Sequence, residues 1–340
     1  MNYFVSRKNW QLTLAVTVVL ISGVTALQAQ DSGRDNRPAA VPQEYFATPM
    51  GYFHPSCVQE LADGDILRKD EMAIEHQDGS FDSVPTCGFP HYTAAGEKVP
   101  MDDADAEPPA GTAYAYITEA TMKKDPASSY YGELKATWIV PPDPATHGKQ
   151  LLYFFPGLQD YKTNLAHLTI LQPVMGWNVV SKPLHLNYPN VWTLSSWNCC
   201  VNGTVQHSPF ITTEAGHTIF GVMVCTNPGA PRCGSFNVNT FDQTTGKTTE
   251  LRQTSSFGQY FNWAFAGALE VYNVSQCSEY PGGSKGSIEF YYLGLYDNEL
   301  QPVDQDWQPT RGWTGLTPQC SYGISVGETK GGLPAVTLKY

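Results

Sequence analysis

The sequence predicts an all-β fold, a jelly-roll or concanavalin-like β-sandwich, with an irregular N-terminal segment held by a disulfide. From residue 112 onward, short aromatic and β-branched runs alternate with turn residues, as in a chain of strands. The 340 residues include 30 glycines and 25 prolines but only 15% charged residues, a composition typical of strands joined by turns. No amphipathic run after residue 112 is long enough for a major helix, so a sandwich or jelly roll is expected.

Turn residues divide the chain into an N-terminal segment, a sandwich and a tail. Residues 30–110 are predicted to be irregular because prolines interrupt them repeatedly, and their acidic end, residues 101–111, is predicted to be a linker. The sandwich is predicted over residues 111–300, and residues 301–340 are predicted to be a tail packed on it. The predicted strands are 114–118, 133–140, 151–155, 168–174, 191–197, 218–225, 235–241, 247–253, 263–274 and 287–295.

The first residues have the pattern of a signal peptide, predicted over residues 1–29. Arg7 and Lys8 precede an apolar run over residues 12–21, and Ala26 or Ala29 offers a cleavage position. The run is too short for a typical transmembrane helix, although an N-terminal anchor is the alternative interpretation. Removing residues 1–29 makes the net charge of −12 more negative by two. We therefore expect a secreted protein, extracellular or periplasmic, with no membrane contact after signal removal and an undecided oligomeric state.

The acidic composition excludes one class of partner. Phosphate binding needs lysine and arginine to displace counterions, so a chain with 20 basic and 32 acidic residues is not expected to bind nucleic acid.

The chain has an even number of cysteines, eight in all, and export would allow them to form disulfides. No C-x-x-C or H-E-x-x-H spacing favours a zinc site, and no cofactor is predicted. Local spacing suggests Cys57–Cys87, Cys225–Cys233 and Cys277–Cys320, which leave Cys199 and Cys200 as a strained vicinal pair or as exchange partners of the others.

The familiar hydrolase signatures are absent or lie in the wrong context. Residues 282–286 match G-x-S-x-G formally, but that motif requires a strand, a sharp elbow and a helix. Here it falls in a glycine-rich turn between predicted strands. The eight histidines are scattered, so a serine, cysteine or metal-dependent hydrolase has little support.

Two polar residues interrupt otherwise apolar strands. Gln172 lies in a hydrophobic run and precedes Pro173, which predicts an extended Gln172 at a sheet edge or a bulge. Glu270 lies in the other strongly apolar strand and shares a face with Ala268 and Tyr272 by alternation. A carboxyl group on such a face must be hydrogen-bonded or have a raised pKa. The alternative is that Gln172 and Glu270 are ordinary surface residues.

At these residues the chain resembles the eqolisins, the glutamic peptidases, which are secreted β-sandwich enzymes with a Gln–Glu dyad. The similar stretches run in the same order from about residue 131 to residue 295. They are residues 136–141 (Ala-Thr-x-x-Val-Pro), 155–159 (Phe-Pro-Gly-Leu-Gln), 170–172 (Ile-Leu-Gln), 196–197 (Ser-Trp), 211–217, 241–246 and 267–272 (Gly-Ala-Leu-Glu-Val-Tyr).

The resemblance implies an acid-acting endopeptidase that hydrolyses peptide bonds through an activated water, with Gln172 and Glu270 as the catalytic pair. Phe155, Gln159, Trp197 and Tyr272 are then the candidate substrate-binding residues. The chain departs from the family pattern where Phe155 replaces a tryptophan, Gln159 replaces an acid and Pro173 follows the glutamine. The cysteines, the N-terminal segment and the tail do not match it either. Residues 30–110 would be a removable prosegment or a stapled module.

Two other functions fit the same fold. A non-catalytic carbohydrate-binding or surface protein would stack sugar rings on exposed aromatic residues, for which Trp177, Tyr188, Trp192 and Trp307 are candidates. A polysaccharide lyase would need a basic residue beside a tyrosine or histidine base, and few basic residues lie in the predicted strands. A shared concave face for Gln172 and Glu270 would separate the peptidase from both.

Overall fold

The protein is described by a computed structural model that covers residues 37–68, 73–84, 87–99, 116–123, 130–160, 170–199, 203–230, 232–311, 320–329 and 331–340. These residues belong to one compact unit. The predicted signal peptide, the acidic residues 101–111 and Cys200 lie outside the described residues. Within them, no helix is long and apolar enough to cross a membrane.

The described residues form strands and short 3-10 turns. The strands are β1 (Phe46–Thr48), β2 (Gly51–Phe53), β3 (Val58–Glu60), β4 (Ile66–Arg68), β5 (Ala73–Glu75), β6 (Phe81–Ser83), β7 (His91–Tyr92), β8 (Lys98–Val99), β9 (Tyr116–Lys123), β10 (Tyr131–Ile139), β11 (Leu151–Gln159), β12 (Ile170–Ser181), β13 (Leu186–Cys199), β14 (Val205–His207), β15 (Ile211–Thr213), β16 (Thr218–Cys225), β17 (Ser235–Asp242), β18 (Lys247–Ser255), β19 (Trp263–Tyr272), β20 (Ser287–Asp297), β21 (Gln308–Arg311), β22 (Gly323–Glu328) and β23 (Pro334–Lys339).

The strands form three sheets. A ten-stranded sheet has the order β22-β23-β20-β10-β16-β17-β18-β4-β5-β6, and a nine-stranded sheet has the order β21-β9-β19-β11-β12-β13-β14-β3, with β15 paired to β13. A four-stranded sheet, β1-β2-β7-β8, is hereafter the cap. The predicted all-β sandwich is confirmed, and each of the ten predicted strands overlaps an observed one. The predicted tail contributes β21, β22 and β23 to the sheet edges.

The two large sheets pack face to face through a core rich in tryptophan, phenylalanine and leucine. Trp138 and Met223 of the ten-stranded sheet lie in one buried cluster with Phe154 and Leu269 of the nine-stranded sheet. Strands β16 and β17 alternate strictly between buried and half-buried residues. This alternation is expected of an antiparallel sheet with one exposed face. By contrast, every residue of β11 is buried, so the nine-stranded sheet is covered on both faces.

The second cover comes from the N-terminal segment. Aromatic residues of the cap, including Phe46, Tyr52 and Phe53, form a second buried cluster with Tyr153 and Trp197 of the nine-stranded sheet. The described part of residues 46–99, a segment predicted to be irregular, contains eight short strands. The prolines prevent long strands, but the short strands between them pair with each other and with the sandwich. For example, β3 pairs in parallel with β14, and β4 with β18.

The environment of Pro173 also differs from the prediction. Strand β12 lies between β11 and β13 in the sheet, and Pro173 pairs with Ser196 of β13 in an unbroken register. On the other side, the pairing of β11 with β12 is interrupted between Met175 and Leu171, where the register sets Pro173 opposite Pro156. Neither proline has an N–H group to donate to the other strand. The missing backbone hydrogen bonds between β11 and β12 therefore fall at one place, and the pairing continues on both sides of it.

Three disulfides agree with the pairing suggested by spacing: Cys57–Cys87, Cys225–Cys233 and Cys277–Cys320. Cys199 is also disulfide-bonded. The first bridge joins the end of the β1–β2 hairpin region to the segment before β7 and holds the cap together. The third ties the tail to the loop after β19.

Candidate functional site

The outer face of the nine-stranded sheet, called here the covered face, carries the predicted dyad. Ala268 and Tyr272 of β19 belong to the buried cluster beneath the cap, whereas Leu269 and Val271 belong to the cluster between the large sheets. Alternation therefore sets Glu270 on the covered face, as the sequence predicted. Tyr153 of β11 is the register partner of Glu270 and belongs to the same cluster.

Glu270 is a fully buried carboxylic acid. Its Oε1 is hydrogen-bonded to the hydroxyl of Tyr272, and its Oε2 has no hydrogen-bond partner among the described residues. Burial raises the pKa of Glu270 from 4.5 to about 8, while the Tyr272 hydroxyl and the Gly51 N–H partly oppose the increase. Glu270 is therefore protonated at acid and neutral pH while the face is covered, and the expectation of a raised pKa is met.

Gln172 is also fully buried and lies on the covered face, in the strand next to β11. Its Nε2 donates to the backbone carbonyl of Pro49 over 3.0 Å. Its Oε1 is buried with no hydrogen-bond partner among the described residues. Oε1 of this amide can still accept a hydrogen bond, for example from a water molecule held against the sheet.

The two members of the predicted dyad flank β11 from opposite sides but are offset along it. Glu270 pairs with Tyr153, whereas the register of β11 with β12 sets Gln172 opposite Gly157. Four residues of strand span about 13 Å, so the two side chains start from different levels of the sheet. The space between them holds a turn of the cap.

That turn belongs to the β1–β2 hairpin, Phe46–Phe53, hereafter the hairpin. Thr48 pairs with Gly51, so Pro49 and Met50 form a two-residue loop. Gly51 has φ +115°, and a Cβ there would lie 2.3 Å from the carbonyl oxygen of Tyr92, so only glycine fits. The Tyr272 hydroxyl donates to the Thr48 carbonyl over 2.8 Å and accepts from the Gly51 N–H over 2.8 Å. The hairpin loop thus contacts Gln172 directly and Glu270 through Tyr272.

The predicted substrate-binding residues share the covered face. Trp197 is the register partner of Gln172, is fully buried, and donates its indole N–H to Ser195 over 2.6 Å. Phe155 is buried in the same cluster. Gln159 pairs with Ile170 at the end of β11, and both atoms of its amide are buried without a hydrogen-bond partner among the described residues. Of the four, Tyr272 has the direct contact with Glu270.

Sequence reasoning missed Tyr153 and the hairpin. The hydroxyl of Tyr153 donates to the Ala47 carbonyl over 2.9 Å, and burial and the nearby Glu270 raise the pKa of Tyr153 well above its usual value. A tyrosine within the apolar run of β11 is a signal that alternation could have used, because it shares a face with Phe155. The hairpin carries only ordinary turn residues, and no local pattern indicates that it meets residues more than a hundred positions away.

The aromatic residues proposed for sugar stacking do not form an exposed platform. Trp177, Trp192 and Trp307 are buried in the core between the large sheets, and Tyr188 is partly buried against Phe210. All four are packing residues, contrary to the expectation of an exposed platform. The residues of the formal G-x-S-x-G match form a 3-10 turn between β19 and β20, as predicted.

A cavity of about 470 Å³ opens beside the hairpin. Tyr45, Phe46 and Ala47 line one side of it, and Leu151 and Asn273 line the other. Because Leu151 and Asn273 lie at the Tyr272 end of the covered face, the cavity is an opening at that end. Among the described residues, no group of three or more histidine, cysteine, aspartate or glutamate side chains could hold a metal ion.

Comparisons with known proteins give distant likenesses only. No family model and no curated protein matches the sequence. Among solved structures, the chain is similar to scytalido-glutamic peptidase with a transition state analogue inhibitor (18% identity, TM-score 0.44) and with a peptide-based analogue (18%, 0.43). It is also similar to SCP-B, a member of the eqolisin family of peptidases in complex with the tripeptide Ala-Ile-His (18%, 0.41). Each match covers 67% of this chain and 100% of the other. At these values the likeness assigns neither residues nor activity to this chain.

Proposed function

We propose that the protein is a secreted, acid-acting endopeptidase in which Gln172 and Glu270 activate a water molecule for peptide hydrolysis. The observation that carries the proposal is that both polar side chains are fully buried on one sheet face, beside the backbone of the hairpin. Gln172 donates directly to the Pro49 carbonyl, and Glu270 contacts the tyrosine that holds the Thr48 carbonyl. A surface glutamine and a surface glutamate would do neither.

In this mechanism Glu270 is the general base and then the general acid. It takes a proton from water as the water attacks the carbonyl carbon, and it returns a proton to the leaving amine as the C–N bond breaks. A base must be ionised, whereas burial under the hairpin raises the pKa of Glu270 to about 8. Exposure of the face to water removes most of this desolvation, so the carboxyl becomes ionised in mildly acid solution.

Gln172 stabilises the charge that develops on the carbonyl oxygen. In this structure its Nε2 donates a hydrogen bond of 3.0 Å to the backbone carbonyl of Pro49. A donor to an oxyanion makes the same kind of contact. Removing one such donor in an enzyme costs about 2.7–4 kcal/mol of transition-state stabilisation. The free Oε1 of the same amide would orient the attacking water.

Several features support export of the protein. Three disulfides are present among the described residues, and such bridges persist in oxidising compartments. The signal-peptide pattern of residues 1–29 and the net charge of −12 fit an extracellular or periplasmic protein. A polypeptide is the proposed substrate, and the mechanism uses no cofactor.

The test is hydrolysis of a denatured protein substrate by the purified chain across pH 2–7, with Glu270→Gln and Gln172→Ala as the dyad variants. The matched controls are Glu214→Gln and Gln243→Ala, because Glu214 and Gln243 are exposed. We expect both dyad variants to lose at least a hundredfold in rate and both controls to retain the activity of the parent. Equal cleavage by the parent and the dyad variants would refute the proposal.

A further inference from the structure

Three consecutive carbonyl groups of the hairpin are held by three side chains of the sandwich. The Ala47 carbonyl accepts from the Tyr153 hydroxyl over 2.9 Å, and the Thr48 carbonyl accepts from the Tyr272 hydroxyl over 2.8 Å. The Pro49 carbonyl accepts from Nε2 of Gln172 over 3.0 Å. The donors lie on β11, β19 and β12, and all three side chains are buried on the covered face. A row of donors from three neighbouring strands therefore follows one stretch of backbone.

These contacts recognise backbone rather than side chains. Each of the three bonds ends on a main-chain oxygen, and a fourth joins the Gly51 N–H to the Tyr272 hydroxyl. Every residue of a polypeptide has such a carbonyl, so the row would accept any chain that can lie along it. Burial strengthens each bond and excludes water from the donors.

We propose that the covered face is a groove for extended polypeptide backbone, and that the hairpin is a built-in occupant that competes with external chains for Tyr153, Tyr272 and Gln172. The inference rests on the proposed function and deepens it. It assigns Tyr153 and Tyr272 as positioning residues for the substrate backbone. It also makes the covered state an inhibited one.

The same contacts explain why the hairpin is not itself a substrate. Hydrolysis needs Gln172 and Glu270 to act on one carbonyl group. Here Gln172 holds the carbonyl of Pro49, whereas the tyrosine beside Glu270 holds that of Thr48. The two groups are out of register by one residue, and the pairing of Thr48 with Gly51 prevents the loop from sliding. A neutral, desolvated Glu270 is also unable to act as a base.

The hairpin can leave the groove while the segment that carries it stays attached. Beyond the hairpin, β3 pairs with β14 and β4 pairs with β18, so the segment is built into both large sheets. Within the segment, the Cys57–Cys87 bridge joins the chain that follows β2 to the chain that precedes β7. Opening therefore requires loss of the hairpin contacts but not release of the N-terminal segment.

The experiment opens the hairpin in the full chain with Gly51→Val. A valine at Gly51 meets the Tyr92 carbonyl at 2.3 Å and is strained at φ +115°. The matched control is Gly79→Val, in the same segment, at φ +80° with no atom within 4 Å of the added Cβ. The probe is a fluorescent synthetic peptide with the sequence of residues 44–53, measured by anisotropy. Hydrogen exchange of residues 46–53 reports opening, and cleavage of denatured protein reports activity.

We expect Gly51→Val to speed hydrogen exchange in the hairpin and to bind the peptide at least tenfold more tightly than the parent and Gly79→Val do. Adding Tyr153→Phe to Gly51→Val should weaken peptide binding about threefold to tenfold, the equivalent of one neutral hydrogen bond. If Gly51→Val fails to fold, Tyr52→Ala replaces it, since this removes an aromatic contact with Tyr272 at 4.9 Å and adds no clash.

The outcomes separate this inference from the proposed function. Tighter peptide binding together with faster cleavage supports both. Tighter binding without cleavage, even in the opened variant, refutes the peptidase but retains the backbone groove. Faster hydrogen exchange without a gain in peptide binding overturns the groove, and so does a hairpin whose exchange neither opening variant accelerates.

Discussion

The hydroxyl of Tyr272 is hydrogen-bonded to the carboxyl of Glu270, two residues earlier on the same strand. Side chains two apart on a strand share a face, so the contact is a direct consequence of the strand. The same hydroxyl holds the Thr48 carbonyl, which joins the acid to the hairpin. Burial and the nearby Glu270 raise the pKa of Tyr272 well above its usual value, so the hydroxyl remains a donor over the working pH range.

The buried carboxyl should make folding stability depend on pH. The pKa of Glu270 is about 8 in the folded protein and 4.5 as its usual value. Below pH 4.5 both folded and unfolded chains hold the proton, and the stabilisation is complete. Between pH 4.5 and about 8 only the folded chain holds it, so the free energy of unfolding falls by about 1.4 kcal/mol per pH unit.

Glu270→Gln should abolish that contribution, because glutamine does not titrate. The measurement is urea unfolding of parent and variant at intervals from pH 4 to pH 9, read as the difference between the two curves. Glu214→Gln, at an exposed site, is the control and should follow the parent. A constant difference between the parent and Glu270→Gln across this range would show that folding does not shift the pKa of Glu270.

A buried histidine of the cap should make the folded protein less stable at acid pH. The ring of His91 stacks on Phe53 of the hairpin at 4.7 Å, and its Nδ1 has no hydrogen-bond partner among the described residues. Burial lowers the pKa of His91 from 6.5 to about 4. Above pH 6.5 its stabilisation is complete. As the pH falls toward 4, the unfolded chain takes up a proton that the folded chain refuses, so stability falls.

His91→Phe should retain the stacking and remove this loss, giving a variant that is more stable than the parent below pH 6. The hairpin of the variant should also exchange its amide hydrogens more slowly at pH 4.5 than the parent's. His185→Asn, at an exposed position with φ 55°, is the control that leaves the cap untouched. Equal acid stability of parent and His91→Phe would contradict the prediction.

Loss of the Cys57–Cys87 disulfide should destabilise the protein more than loss of a disulfide that closes a shorter loop. Cys57–Cys87 closes a sequence separation of 30 residues and Cys225–Cys233 one of 8. Loop-closure entropy makes the longer bridge worth roughly 3–4 kcal/mol and about 1 kcal/mol more than the shorter. Thermal unfolding of the two double serine variants measures the difference, and hydrogen exchange should rise in residues 46–53 only for the first pair. A larger loss from the Cys225–Cys233 pair would contradict the entropic argument.

Local patterns were sufficient for the longer strands. Alternation and turn residues predicted ten strands that overlap β9–β13 and β16–β20 but not the short β14 and β15, and Thr218–Cys225 was predicted to the residue. The same alternation set Ala268, Glu270 and Tyr272 on one face, because strand periodicity does not depend on what covers the sheet. Spacing also suggested three disulfides: Cys225–Cys233 spans a local turn, whereas the other two close separations of 30 and 43 residues.

Predictions that needed knowledge of neighbours failed. Pro173 indicated an edge or a bulge, but Pro156 lies opposite it in the adjacent strand, and one proline cannot reveal the register of another. The prolines of residues 38–100 indicated irregular chain, yet short strands between them pair with distant strands of the sandwich. Trp177 and Trp192 carry no local sign of which face they occupy in a strand buried on both sides.

The sequence by itself determined an all-strand protein and singled out an amide and a carboxylic acid in apolar strands, because period-two alternation and turn chemistry act between near neighbours. Only the tertiary structure decided that Gln172 and Glu270 share a face and that the hairpin lies over them. The pairing of β11 with β19 joins residues more than 100 positions apart, and burial of a carboxyl group depends on everything packed around it.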